Sequence, residues 1–227
     1  MARIFLVLVI FAVALLAANF VIGLAGDDFH AALRQRLKAG DEFKEASKPI
    51  HSLAPGTDHE NASRAFARAD EAYRASQRWM TLHTLLGSAA ALVTVHVNSI
   101  AITYFIGTSR WCKEVCEMYA LPLEVAERST ILKRRTFPWA LSGIVAIIGV
   151  VGLGAAADPT GANFARSASF VMWHYMVATL GLVIVAIAFC VEISRIAENS
   201  AVIEEILAQV RRIRAERNLP LEEVAAP

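Results

Sequence analysis

Trp79 to Gly107 reads WMTLHTLLGSAAALVTVHVNSIAITYFIG, 29 residues without a Lys, Arg, Asp or Glu. A hydrocarbon layer about 30 Å thick is crossed by about 20 apolar residues in a helix, so this stretch is long enough to span one. Three further stretches share the property: Ile4 to Ala25 before it, and Pro138 to Ala157 and Phe170 to Val191 after it. Lipid offers no partner to the amides of an open strand, so all four are expected to be helices.

The rest of the composition agrees with this pattern. Of 227 residues, 56% are apolar and 19% charged, and 22 basic residues against 21 acidic ones leave a net charge of +1. That balance excludes a polybasic nucleic-acid-binding protein and an acidic disordered tail. A soluble domain would spread its apolar residues at period two or 3.6, whereas here they are pooled into four blocks. The expected fold is an all-α integral membrane protein, with four transmembrane helices in a bundle and helical extensions on both sides of the bilayer.

The segments follow in order. Residues 1–25 form the first transmembrane helix, 26–78 an extracytoplasmic helical segment, 79–107 the second span and 108–137 a cytoplasmic helical connection. Residues 138–157 form the third span, 158–169 a short extracytoplasmic loop, 170–193 the fourth span, and 194–227 a cytoplasmic amphipathic helix and tail. The first span follows Arg3 and ends on a cleavage-site-like Gly23-Leu24-Ala25, but its 22 uncharged residues (4 to 25) exceed the about 7 to 15 of a signal core. It reads as an uncleaved signal anchor.

Orientation follows the basic residues near the spans. Arg110, Lys113, Arg128, Lys133, Arg134 and Arg135 crowd the second connection, against Arg166 alone in the third. This places both termini in the cytoplasm, in a multi-pass arrangement suited to a bacterial inner membrane. Nine basic residues in 26–78, matched by nine acidic ones, weigh the other way.

Outside the bilayer, Pro49, Pro55 and Gly56 mark a loop within Lys48 to Asn61. Phe29, Leu33 and Leu37 predict a helix before it. After it, Asn61 or Ser63 is expected to cap a helix striped by Ala62, Phe66, Ala69 and Tyr73 that runs on into the second span as a stalk. On the cytoplasmic side a break is expected at Leu121-Pro122. Lys133-Arg134-Arg135 followed by Phe137-Pro138-Trp139 reads as an interface anchor. Ile196, Ser200, Ile203, Leu207 and Val210 alternate steps of four and three, a seam for a coiled-coil dimer or for the neighbouring cytoplasmic helix.

Polar residues inside spans carry the functional signal, because they are costly there. His83 lies four residues past Trp79 and His174 four past Phe170, so the two imidazoles are expected at one depth near the outer surface. Helical phase places Gly87, Ala90, Thr94 and Ala101 below His83, and Ala178, Gly181, Val185 and Glu192 below His174. Two such faces turned together would leave a slot with an imidazole on each side. Haem b held by His83 and His174, with Gly87 and Gly181 making room for the flat ring, fits that description. Ordinary close packing with interhelical histidine hydrogen bonds also fits, as does another metal or a quinone pocket.

His96 and Asn98 are further intramembrane polar residues. His96 forms a second polar face with Ser88, Ser99 and Thr103, suited to interhelical bonding or a proton path. Glu192 is either a proton acceptor or a snorkelling carboxylate paired with Arg195. His30, His51 and His59, with Asp58 and Glu60 beside the last, lack a zinc spacing and read as solvated loop residues. Asn61-Ala62-Ser63 matches a glycosylation sequon by composition alone. Cys112 and Cys116 are one residue too far apart for a Cys-x-x-Cys redox pair and read as reduced thiols, and Cys190 as packing. Gly149 to Gly154 lies in a span, where close helix packing explains it better than a dinucleotide turn.

No complete catalytic signature appears, so a catalytic site of its own is not expected. Two functions stand side by side. One is a b-type cytochrome-like electron carrier with bis-histidine haem between the second and fourth spans, exchanging electrons with a partner or quinone. The other is a structural, assembly or signalling membrane subunit acting through helical contacts. The partners expected are the lipid bilayer and other membrane subunits or a second copy of the chain, with no nucleic acid. A small transporter is disfavoured, since neither half repeats the other.

Overall fold

A computed structural model describes residues 2–26, 28–48, 57–161 and 165–220. Five helices follow one another: α1 (Ala2–Ala25), α2 (Phe29–Ala46), α3 (Thr57–Tyr119), α4 (Leu123–Ala157) and α5 (Ser167–Glu216). Among the described residues there is no strand. All but α2 contain a stretch long and apolar enough to cross a membrane.

Three helices pass straight through boundaries drawn from sequence. α3 begins at Thr57, so Asn61 and Ser63 lie inside it and do not cap it. Asp58 and Glu60 in its first turn complement the helix dipole, and the alanine-rich stretch after them keeps the helix running. α4 carries Pro138 in its interior, so the third span is the far half of a longer helix. The proline removes one backbone bond, which packing of α4 along both α3 and α5 outweighs. α5 likewise begins at Ser167, three residues before Phe170, and runs on to Glu216. His51 and the Pro49, Pro55, Gly56 loop lie outside the described residues.

α2 folds back along the start of α3. Phe29 stacks on Tyr73 with ring centroids 5.6 Å apart and Phe43 on Phe66 at 5.9 Å. Asp70 accepts from Arg36 at 2.6 Å and from Arg74 at 2.7 Å, and the Arg36 guanidinium also lies 4.8 Å from the Tyr73 ring centre. These two cations hold the Asp70 carboxyl below its ordinary value of 3.8.

At the opposite end, the seam of α5 is already occupied. Ile196, Ile203, Leu207 and Val210 are buried in one apolar cluster with Val115, Cys116, Val125 and Leu132, and Ser200 is half-buried. The seam therefore packs within the chain. Arg128 bonds Glu205 at 2.7 Å and Arg214 bonds the Tyr119 hydroxyl at 3.1 Å, tying α4 and α3 to α5. Between α3 and α4 the chain turns through Ala120 in the left-handed region (φ 52°), with Leu121 N–H donating to the Cys116 carbonyl at 2.9 Å.

α4 lies along α5 and α3, and α1 lies mainly against α3, while α3 and α5 themselves touch little. That spacing opens the bundle at the end nearest α2.

Candidate functional site

The opening is a cavity of about 780 Å³ bounded by α1, α3, α4 and α5. Its mouth, at the α2 end, is lined by Asp28, Arg34 and Trp79, and its floor by Ala90, Ile147 and Val185. The volume lies inside the roughly 300 to 1,000 Å³ common for small-molecule sites. His83 from α3 and His174 from α5 face each other across it, with ring centroids 6.3 Å apart and planes 80° apart.

Each imidazole is seated by a glycine on a flanking helix. A methyl group at Gly23 of α1 would stand 2.8 Å from His83 Cε1, and one at Gly154 of α4 would stand 3.1 Å from His174 Cε1. One turn before each glycine, a backbone carbonyl lies beside the same ring, that of Asn19 for His83 and that of Val150 for His174. The two buried Nδ1 atoms make no well-formed hydrogen bond. Tyr175, next to His174, donates its hydroxyl to the Gly23 carbonyl at 3.0 Å and pins α1 against α5. His30 Nε2 donates to the Ala157 carbonyl at 3.0 Å, fixing the start of α2 to the end of α4.

Gly87 and Gly181 both line the cavity, but their open sides meet the flanking helices rather than each other. A methyl at Gly87 would stand 2.8 Å from Asn19 Nδ2, and one at Gly181 would stand 2.8 Å from Val150 Cγ2. α1 and α4 thus fill the small-residue stripes, and at this end of the bundle α3 and α5 meet through the two histidine rings. The seats at Gly23 and Gly154 escaped sequence reasoning. Gly23 lies in a cleavage-site-like pattern and Gly154 in a packing run, and neither context shows which ring it would face.

The remaining polar residues separate. His96 is exposed on the outside of the bundle, and Ser88, Ser99 and Thr103 bond back to their own helix. Asn98 is fully buried, donates to the Thr94 carbonyl at 2.8 Å and packs against Gly143, where any Cβ would clash with its Oδ1. Glu192 is fully buried, and Arg195 bonds Glu198 instead of it, so the snorkelling pair is replaced by a buried carboxyl. Cys112 and Cys116 are both fully buried free thiols in the cluster at the α5 tail. Burial pushes both thiols up, away from the thiolate. His59 rests against Phe43 with centroids 5.4 Å apart, in a described stretch of α3 and not in a loop.

Among the described residues, no three His, Cys, Asp or Glu side chains come together as a metal site. The pair therefore offers two nitrogen donors, which suits a group that brings its own equatorial ligands. An iron bonded at about 2 Å to one nitrogen of each ring needs ring centroids about 6 Å apart. The separation of 6.3 Å meets that requirement. No protein-family model, curated protein or solved structure matches the chain.

Proposed function

We propose that this chain is a membrane-embedded b-type cytochrome subunit whose haem is held by His83 and His174 between α3 and α5. The observation that carries the reading is the facing pair of half-buried imidazoles, ring centroids 6.3 Å apart, lining a cavity of about 780 Å³. Haem b would supply a one-electron couple at that point. The chain's own contribution is to orient the ligands. The backbone of Asn19 and of Val150 lies beside the two rings, where it would help to hold them as ligands.

The four apolar helices support placement in a bilayer, with the α2 end outward if basic residues set the orientation. The histidine pair then lies near the outer leaflet, within reach of a quinone or of a partner subunit as electron donor or acceptor.

The test is expression with haem supplied, extraction from the membrane fraction in mild detergent, and oxidised and dithionite-reduced visible spectra. Split α and β bands that disappear in both His83→Ala and His174→Ala are the expected result. A folded protein without Soret absorption removes the haem reading and leaves the assembly or signalling subunit.

A further inference from the structure

Glu192 lies 18 residues beyond His174 on α5 (192 − 174), about 27 Å further along the helix. Its side chain is fully buried, and neither carboxylate oxygen has a hydrogen-bond partner. The nearest cation in sequence, Arg195, bonds both oxygens of Glu198, at 3.0 and 2.7 Å.

No cation on the surrounding helices pairs with it: the basic residues nearest in sequence on each, Arg110 of α3, Lys133, Arg134 and Arg135 of α4 and Arg195 of α5, make no bond to Glu192. α3 from Trp79 to Ser109, α4 from Thr136 to Ala157 and α5 from Ser167 to Val191 contain no Asp, Glu, Lys or Arg. The one charged residue of α1 is Arg3, exposed at its start. Besides the histidine pair, the titratable groups of these stretches are His96 and Cys190, both exposed on the surface, Tyr175, bonded to Gly23, and Tyr104. An anion in this setting has neither a counter-ion nor donors, while the neutral acid can be accommodated.

One polar group shares its helix face. Asn199 is seven residues on, in phase with Glu192, and fully buried. It donates to the Tyr104 hydroxyl at 3.1 Å and to the Thr108 hydroxyl at 3.0 Å, and its own Oδ1 has no partner. Thr108, Tyr104 and Asn199 form a hydrogen-bonded group between α3 and α5, two helical turns or about 10 Å along α5 from Glu192 on the tail side.

We propose that Glu192 is an intramembrane proton-binding site, exchanging its proton with the tail end of the bundle along Asn199, Tyr104 and Thr108. This rests on the membrane placement above but not on the haem, and Glu192 takes the role whether or not the histidines hold one.

The experiment uses the full chain extracted from membranes in detergent, treated with dicyclohexylcarbodiimide or with a water-soluble carbodiimide and read by peptide mass spectrometry. The protonated carboxyl adds across a C=N bond of the reagent: its oxygen bonds the central carbon, its proton goes to nitrogen, and an acyl shift to nitrogen gives a stable N-acylurea. Expected are modification of Glu192 by the apolar reagent alone, loss of that modification as the medium is made alkaline, and a slower response to a pH jump in Asn199→Leu. Glu192→Gln gives the unmodified control peptide. No modification at any pH, modification that ignores pH, equal modification by the water-soluble reagent, or an unchanged response in Asn199→Leu overturns the proposal. A chain found in the soluble fraction would instead remove the membrane reading on which it depends.

Discussion

At Gly23 and Gly154 a single hydrogen stands where any other residue would place carbon against an imidazole, at 2.8 and 3.1 Å. The two rings can reach each other because both glycines let them sit close to a neighbouring backbone. Gly23→Ala and Gly154→Ala are therefore expected to displace His83 and His174. In the proposed cytochrome, haem retention should then fall roughly tenfold or more, the scale of losing a group that orients a metal ligand. The haem dissociation rate measures this, with Gly152→Ala as control, since nothing lies within 4 Å of that position. Cys112 and Cys116 give a second residue-scale expectation. Buried and raised in pKa, both should resist alkylation in the folded protein at neutral pH and react only on denaturation, a contrast that mass spectrometry reads directly.

Among the elements, the α2–α3 hairpin adds a carboxylate, Asp70, to its aromatic stacks. The folded pKa of Asp70 is depressed, so its contribution is fully present above the free-carboxyl value of 3.8 and is lost as pH falls through the lower folded value. Protection of the α2 amides, taken relative to the intrinsic exchange rate at each pH, should fall in acid, and should be lower already at neutral pH in Asp70→Asn. The turn between α3 and α4 holds Ala120 at φ 52°, a conformation that costs an L-residue about 1 to 2 kcal/mol. Ala120→Gly should relieve part of this and raise thermal stability modestly, because glycine also loses more entropy on folding. In the tail cluster Ile206 is fully buried, and Ile206→Ala should cost about 2 to 5 kcal/mol in denaturant unfolding.

For the whole molecule, the arrangement of helices decides which polar residues meet. α1 and α4 lie between α3 and α5 on either side, so His83 and His174 face each other inside the bundle, half-buried, while His96, on the same helix as His83, faces outward. If the proposed haem is bound, His96→Leu should leave its visible spectrum unchanged, in contrast to the same substitution at His83.

Much of this architecture was legible in residue order. Four uncharged runs of 20 residues or more can only be helices if they meet lipid, and the matched spacing of His83 after Trp79 and His174 after Phe170 placed the two imidazoles at one level. Depth along a helix is a local quantity, set by a rise of about 1.5 Å per residue, and a sequence contains it. Which helix fills which groove is not local. Gly87 and Gly181 share a phase with the histidines, yet they receive Asn19 and Val150. Gly23 and Gly154, far away in sequence, seat the rings. The choice between a snorkelling and a buried Glu192, and between a free and an occupied α5 seam, likewise depended on neighbours 50 or more residues distant, as in the Arg128–Glu205 pair. Side chains compete for the same space only once the helices are packed, so those assignments belong to the tertiary structure alone.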